Sequence, residues 1–213
     1  VFLDGVEYIS YTDPYNSCGT AGIMGTRGVV AEVDDFKVTM PESAKSFQDT
    51  FADNRYLTGV TTKWNVHSFG AADTAAVADG KLTVTAGSGV NSEANAAGVY
   101  LSQSDGVTDY ASQWTDYSVE MTVRISSDTK GSGQDKIGLI GHMTEKDGVK
   151  SFYYAYIRKG QKKLFFYHPT IGADNKLALG AVISTPAIPG MALDTDYQLK
   201  MTFEGTTVKV PVP

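Results

Sequence analysis

Residues 197–210 read YQLKMTFEGTTVKV, and residues 1–11 read VFLDGVEYISY. Set end before beginning, they make two hairpins that share a middle strand. Residues 197–203 turn at Glu204-Gly205 into 206–210, run on as 1–3, turn at Asp4-Gly5 and return as 6–11. Glycine in second place supplies the positive φ that a tight hairpin turn needs. The chain is therefore expected to begin and end inside one β-meander. Such an arrangement fits a β-sandwich whose termini have been moved, by circular permutation or by excision from a tandem array.

Outward from that seam the same grammar continues. In residues 117–125, Tyr117, Val119, Met121, Val123 and Ile125 alternate with Ser118, Glu120, Thr122 and Arg124. One face of that strand is dry and the other polar. Tyr197, Leu199, Met201 and Phe203 alternate in the same way, and Phe36, Val38 and Met40 share a parity. Leu82 and Val84 follow the Asp79-Gly80 turn, and Trp64 and Val66 are expected core anchors in an irregular stretch. No 3.6-residue apolar period lasts three turns, and no strand–helix–strand alternation occurs. About a dozen short strands predict an all-β fold, an antiparallel two-sheet sandwich. The 213 residues are read as one domain: 1–40, a Pro-led polar linker at 41–46, and 47–213. A six-residue linker reaches about 20 Å at most, enough to join edge strands within one sandwich.

A net charge of −6 argues against a nucleic-acid surface and against attraction to anionic lipid. No run of about 18 apolar residues offers a membrane-spanning helix. The opening VFLDGVEY lacks the basic-then-apolar order of a signal peptide, so an export signal would lie outside this sequence. The single Cys18, in the glycine-rich context SCGTAG, rules out an internal disulfide and any multi-cysteine metal site. His67, His142 and His168 are scattered without zinc-type spacing; His67 and His168 read as strand-end or loop residues.

The order of motifs resembles the concanavalin A-like, laminin-G-like modules attached to bacterial carbohydrate-active enzymes. Phe47-Gln-Asp49-Thr-Phe51 followed by Trp64 resembles the family's opening, and Asp79-Gly80-Lys81-Leu82 its next strand. Trp114 through Ile125, Gly138–Met143, Phe152–Gly160 and Leu164–Tyr167 resemble its centre. The closing part is divided: 197–210 is its first piece and 3–39 its second. The resemblance covers nearly the whole chain in permuted order. It implies a jelly-roll fold, a secreted or cell-surface location, membership of a larger multidomain chain, and a polysaccharide or oligosaccharide ligand. It leaves open whether the N-terminal strands close within one monomer or swap into a dimer.

A fold of this kind also hosts enzymes. A retaining glycosidase needs two carboxylates about 5–5.5 Å apart. The nearest approach, Glu32-Val-Asp34-Asp35-Phe36-Lys37, lacks the second glutamate of laminarinase-like strands. A polysaccharide lyase needs a base and a cation to neutralise a uronate, and His142, Tyr154, Tyr156 and Arg158 are of the right types. The Arg-x-Glu-x-Arg and Gln-Ile-His signatures of alginate-lyase-like sandwiches are absent. The positive signal is a strand face. Tyr154, Tyr156 and Arg158 share a parity, with His142 on the preceding strand and Arg124 on the polar side of 117–125. Rings for the apolar faces of sugars and planar groups for their hydroxyls suit a glycan. The competing reading packs Tyr153 and Tyr154 internally and pairs Arg124 with Glu120 or another acid. In such sandwiches a structural Ca²⁺ often ties first strand to last, and the corresponding acids are Asp35 and Asp49; the alternative is that they cap turns. The expectation is a non-catalytic carbohydrate-binding module. A glycan-degrading enzyme and a structural or adhesive repeat stand as alternatives.

Overall fold

Strands Tyr117–Ile125 and Asp196–Glu204 lie side by side in the computed structural model. It describes residues 1–12, 17–41, 46–52, 64–68, 73–87, 96–101, 114–130, 133–174, 177–178, 180–205 and 207–208. Every apolar residue of both alternating patterns is buried, as their parity predicts. They form the middle of one antiparallel sheet. Its order is Val6–Glu7, Phe2–Leu3, Asp196–Glu204, Tyr117–Ile125, Val30–Thr39, Lys81–Thr85, Thr74–Ala78. A second antiparallel sheet runs Leu177–Ala178, Thr170–Ile171, Val149–Arg158, Lys136–Lys146, Thr20–Thr26, Ala96–Leu101, Trp64–Ser68. Lys163–Tyr167 also pairs with Val149–Arg158 and is backed by Val182–Ser184. The inner faces meet in one core, with Phe36, Met121, Leu199 and Phe203 from the first sheet against Ile23, Leu139, Tyr153 and Phe166 from the second. The chain is all-β and built as a sandwich; among the described residues the only helical piece is the 3₁₀ turn Lys159–Gln161.

Two β-bulges re-aim side chains. In Val30–Thr39 the buried set shifts from Ala31 and Val33 to Phe36 and Val38, a change of parity. The pairing shifts there, since Glu120 faces Lys37 while Thr122 faces Asp34. Asp35 takes the extra place with φ of 49°, and its N–H donates to Asp34 Oδ1 at 2.8 Å. The second bulge sits at His142, φ 45°, where pairing to both neighbouring strands slips. Gly141 is required beside it, because a Cβ there would lie 2.4 Å from Phe203 Cζ. Bulges insert one residue and turn the next side chain to the other face.

The seam forms as the sequence predicts. Asp196–Glu204 pairs along one edge with two segments in succession. Glu204 and Phe203 face Thr207 and Val208, and Lys200 and Leu199 face Phe2 and Leu3. Both segments run antiparallel to the same strand, so they follow one another as a composite strand interrupted only opposite Thr202 and Met201. Its outer neighbour is also shared, by Val6–Glu7 against Phe2–Leu3 and Tyr11–Thr12 against Thr207–Val208. Asp4 and Gly5, with φ of 48° and 77°, make the turn that asparagine or aspartate followed by glycine favours. Asp4 also clamps the hairpin to the sheet: its N–H donates to Gln198 O at 2.8 Å, and Gln198 N–H donates to its Oδ1 at 2.7 Å.

Val66 is a correction. It is 45% exposed, on the strand that ends the second sheet, whereas Trp64 is buried as expected. Most of the expected linker, residues 42–45, lies outside the described residues. Asp4→Ala removes the Gln198 acceptor and is expected to cost about 1 kcal/mol in urea unfolding. In native-state exchange the Gln198 amide should lose protection.

Candidate functional site

The five residues expected to make one carbohydrate stripe fall into three environments. Tyr154 and Tyr156 are on the outer face of the second sheet, but they are 0% and 3% exposed. They belong to a second apolar layer with Met24, Ile140, Phe152 and Phe165. The Tyr154 hydroxyl donates to Met24 O at 2.7 Å, and its ring stacks on Tyr156 with centroids 4.9 Å apart. Tyr156 stacks in turn on Phe165 at 5.0 Å, nearly parallel. These rings are packing elements, so neither offers an open face to a sugar. Arg158 lies half-buried at the end of that row; its Nε donates to Gly133 O at 2.8 Å.

His142 faces the opposite way. The bulge turns it into the inter-sheet core, where it is 1% exposed and stacks on Phe203 at 3.9 Å. Its Nε2 is 2.8 Å from Thr115 O, and its backbone N–H donates to the Tyr117 hydroxyl at 2.7 Å. That hydroxyl donates to Thr20 O, and burial pushes it far above the usual phenol range. His142 is therefore a core residue. It cannot act with Tyr154, Tyr156 and Arg158, which project from the other side of the sheet, so the lyase constellation does not assemble.

Arg124 is on the first sheet, directly opposite Asp196. Its Nε and Nη2 donate to the two Asp196 oxygens at 2.7 and 2.9 Å. The fork is thus occupied by a carboxylate, as the competing reading of the sequence held. The hydrogen bond and charge of Arg124 hold the Asp196 carboxyl below the usual aspartate range. Glu32 and Lys81 pair beside it at 2.9 Å, which commits the carboxylate expected of a glycosidase strand.

Asp35 and Asp49, the acids expected to hold a structural Ca²⁺, fall on opposite faces of the first sheet. Asp49 faces Phe36 in the strand pair and points inward. Its Oδ1 accepts the Phe51 N–H at 2.7 Å, and its Oδ2 accepts the Trp64 indole N–H at 2.8 Å. Phe36 and Phe51 pack on the same indole, with centroids 4.8 and 6.1 Å away. Asp49, Phe51 and Trp64 of the Phe-x-Asp-x-Phe and Trp motif thus form a structural staple. Asp35, turned out by its bulge, lies on the opposite face. Among the described residues no three His, Cys, Asp or Glu side chains gather.

An open groove of about 740 Å³ lies on the outer face of the first sheet. Its floor is the polar parity of Tyr117–Ile125 and Asp196–Glu204. Lys37, Glu120 and Lys200 form one cross-strand row, with Glu120 Oε1 3.6 Å from Lys37 Nζ and Oε2 3.3 Å from Lys200 Nζ. Asp35 adds a second carboxylate to the lining, and beside these charges lie uncharged hydrogen-bonding groups, Gln48, Ser118, Thr122, Gln198 and Thr202. Phe2 and Gly5 of the seam hairpin line one side. Phe2 is half-buried between the inward Val1 and Leu3, and sequence reasoning missed it as a site residue. Its signal was legible in the parity of VFL. The chain matches no family model, no curated protein and no solved structure.

Asp49→Ala strips the buried Trp64 N–H of its acceptor and should cost about 1–3 kcal/mol, read from denaturant unfolding. For Asp196, the lowered folded pKa means its contribution to stability is present above the ordinary aspartate range and lost as pH falls through the folded value. Carboxyl NMR should show a midpoint below about 3.9 that returns toward it in Arg124→Gln. The stability gap between wild type and that variant should close in acid.

Proposed function

We propose that this chain is a non-catalytic carbohydrate-binding module that holds an uncharged stretch of glycan along the first-sheet groove. The observation that carries this reading is the composition of the groove itself. Its two lysines share Glu120 and Asp35 adds a second carboxylate, so the lining charges balance, and the uncharged partners left to a ligand are amides and hydroxyls, the groups that pair with sugar hydroxyls. Phe2 offers a ring edge or face at the margin, where an apolar sugar face can rest. The reading moves the site away from Tyr154 and Tyr156, whose rings are committed to packing. An enzyme reading draws no comparable support, because His142 and Glu32 are engaged elsewhere.

The same reading takes the module to be an exported, concanavalin A-like jelly roll, carried in a larger chain and permuted in strand order. The composite strand supports the permuted order, because segments from 207–208 and 2–3 serve as consecutive parts of one edge.

Titration calorimetry against a panel of neutral oligosaccharides tests the proposal. At least one β- or α-linked glucan, mannan or xylan oligomer should bind. Phe2→Ala and Gln198→Ala should each weaken it about tenfold, or ~1.4 kcal/mol. Tyr154→Phe should leave affinity unchanged while lowering stability by about 1 kcal/mol through the lost bond to Met24 O. If no neutral glycan binds, or if both groove variants bind as well as wild type, the assignment fails.

A further inference from the structure

Cross-strand pairs of charged residues separate the two sheets. On the first sheet, Lys37–Glu120–Lys200 and Glu32–Arg124–Asp196 are rows of alternating sign. Glu145 faces Lys150 on the second sheet, 3.3 Å apart. Among the described residues one row breaks the pattern: Lys136 faces Arg158, and Arg158 faces Lys163. Like charges set directly opposite on a sheet repel and destabilise it. Arg158, with a cation opposite it on either side, and Lys163 therefore leave room for a compensating negative charge.

We propose that this row is a second binding site, for an anionic group, carboxylate or sulfate, borne on a glycan chain. The row is built into the fold. Lys136 is 4% exposed, with its Nζ 5.1 Å from the Tyr156 ring centroid. Thr26 stands opposite Lys136 in the same row, fully buried, and its hydroxyl has no hydrogen-bond partner. Arg158 lies 6.0 Å over the Phe165 ring and is tethered through Nε to Gly133 O, so its guanidinium plane is held. A planar fork fixed in this way suits a two-oxygen acceptor better than a lysine does. Neither Arg158 nor Lys163 forms an ion pair with a described residue. Asp135 is 3% exposed, with Lys159 and Arg158 among its charged neighbours, and a single carboxylate offsets one charge at most.

A Cβ at Gly160 would lie 2.1 Å from Gly133 Cα, so the hairpin tip Lys159–Gln161 rests directly on the neighbouring loop. The sequence RKGQKK at 158–163 thereby brings Lys159 and Lys162 to the same corner. A long duplex polyanion is a poor fit, since the chain as a whole carries −6. An oligosaccharide with acidic substituents needs only the row. The site stands on the face opposite the groove and does not depend on that reading.

Calorimetry with oligogalacturonate and with sulfated dextran oligosaccharides tests it, against neutral dextran oligosaccharide, inorganic sulfate and duplex DNA. An acidic oligosaccharide should bind more tightly than the neutral one, and the affinity should fall as salt rises. The double variant Arg158→Gln, Lys163→Gln should weaken it by about tenfold or more, while Phe2→Ala should not change it. In ligand-free protein Lys163→Glu should raise the urea midpoint, because a like-charged pair becomes an opposite one. Equal binding of neutral and acidic chains, or unchanged affinity in the double variant, would overturn the site. Binding of inorganic sulfate or duplex DNA as tightly as the acidic oligosaccharides would overturn its assignment to a glycan.

Discussion

Strand Asp196–Glu204 has two edges, and its inner face carries Tyr197, Leu199, Met201 and Phe203 into the core. One edge is taken by Tyr117–Ile125. The backbone groups of the other must also find partners, since buried amides and carbonyls left alone cost as much as a lost hydrogen bond. Two segments from opposite ends of the sequence supply those partners. Everything on that side of the sheet follows from this pairing: Val1 and Leu3 are drawn into the core, and Phe2 is forced outward. The groove therefore gains its aromatic margin from the same contact that closes the fold.

The two outer faces solve different problems. On the first sheet, the rows Lys37–Glu120–Lys200 and Glu32–Arg124–Asp196 alternate in sign across the strands, and much of the surface between is amide and hydroxyl. Exposed pairs of this kind add little stability each, but they neutralise the floor without filling the groove. On the second sheet, the outer face is apolar and aromatic, and its rings pack on one another. Gly22 and Gly138 keep this layer close, since a Cβ at either would press within 2.4 Å of the neighbouring backbone. The positive row at its end is an exception to both patterns, which is why it draws attention as chemistry rather than packing.

Much of the local structure was legible from residue order. Alternation in 117–125 and 197–203 needed no tertiary information, because a strand with one wet face must alternate. The Asp-Gly turns at 4–5 and 79–80 were legible for a similar reason: both positions take positive φ, which few residues tolerate. The site residues were harder to read. His142 looked outward on simple parity, yet a bulge of one residue turned it into the core. Tyr154 and Tyr156 were correctly put on one face, but their parity carried no sign that a second layer covers it. Arg124 and Asp196 lie 72 positions apart, and only their register joins them.

The sequence by itself determined the class of fold, the strand pattern and the joining of its two ends, because these rest on short-range alternation and turn geometry. Only the tertiary structure decided which polar and aromatic groups remain available to a ligand. Availability depends on bulges, on cross-strand register and on what lies above each face, and none of these leaves a period in the chain. The groove beside Phe2 and the row Lys136–Arg158–Lys163 became visible only once strands distant in sequence were laid next to one another.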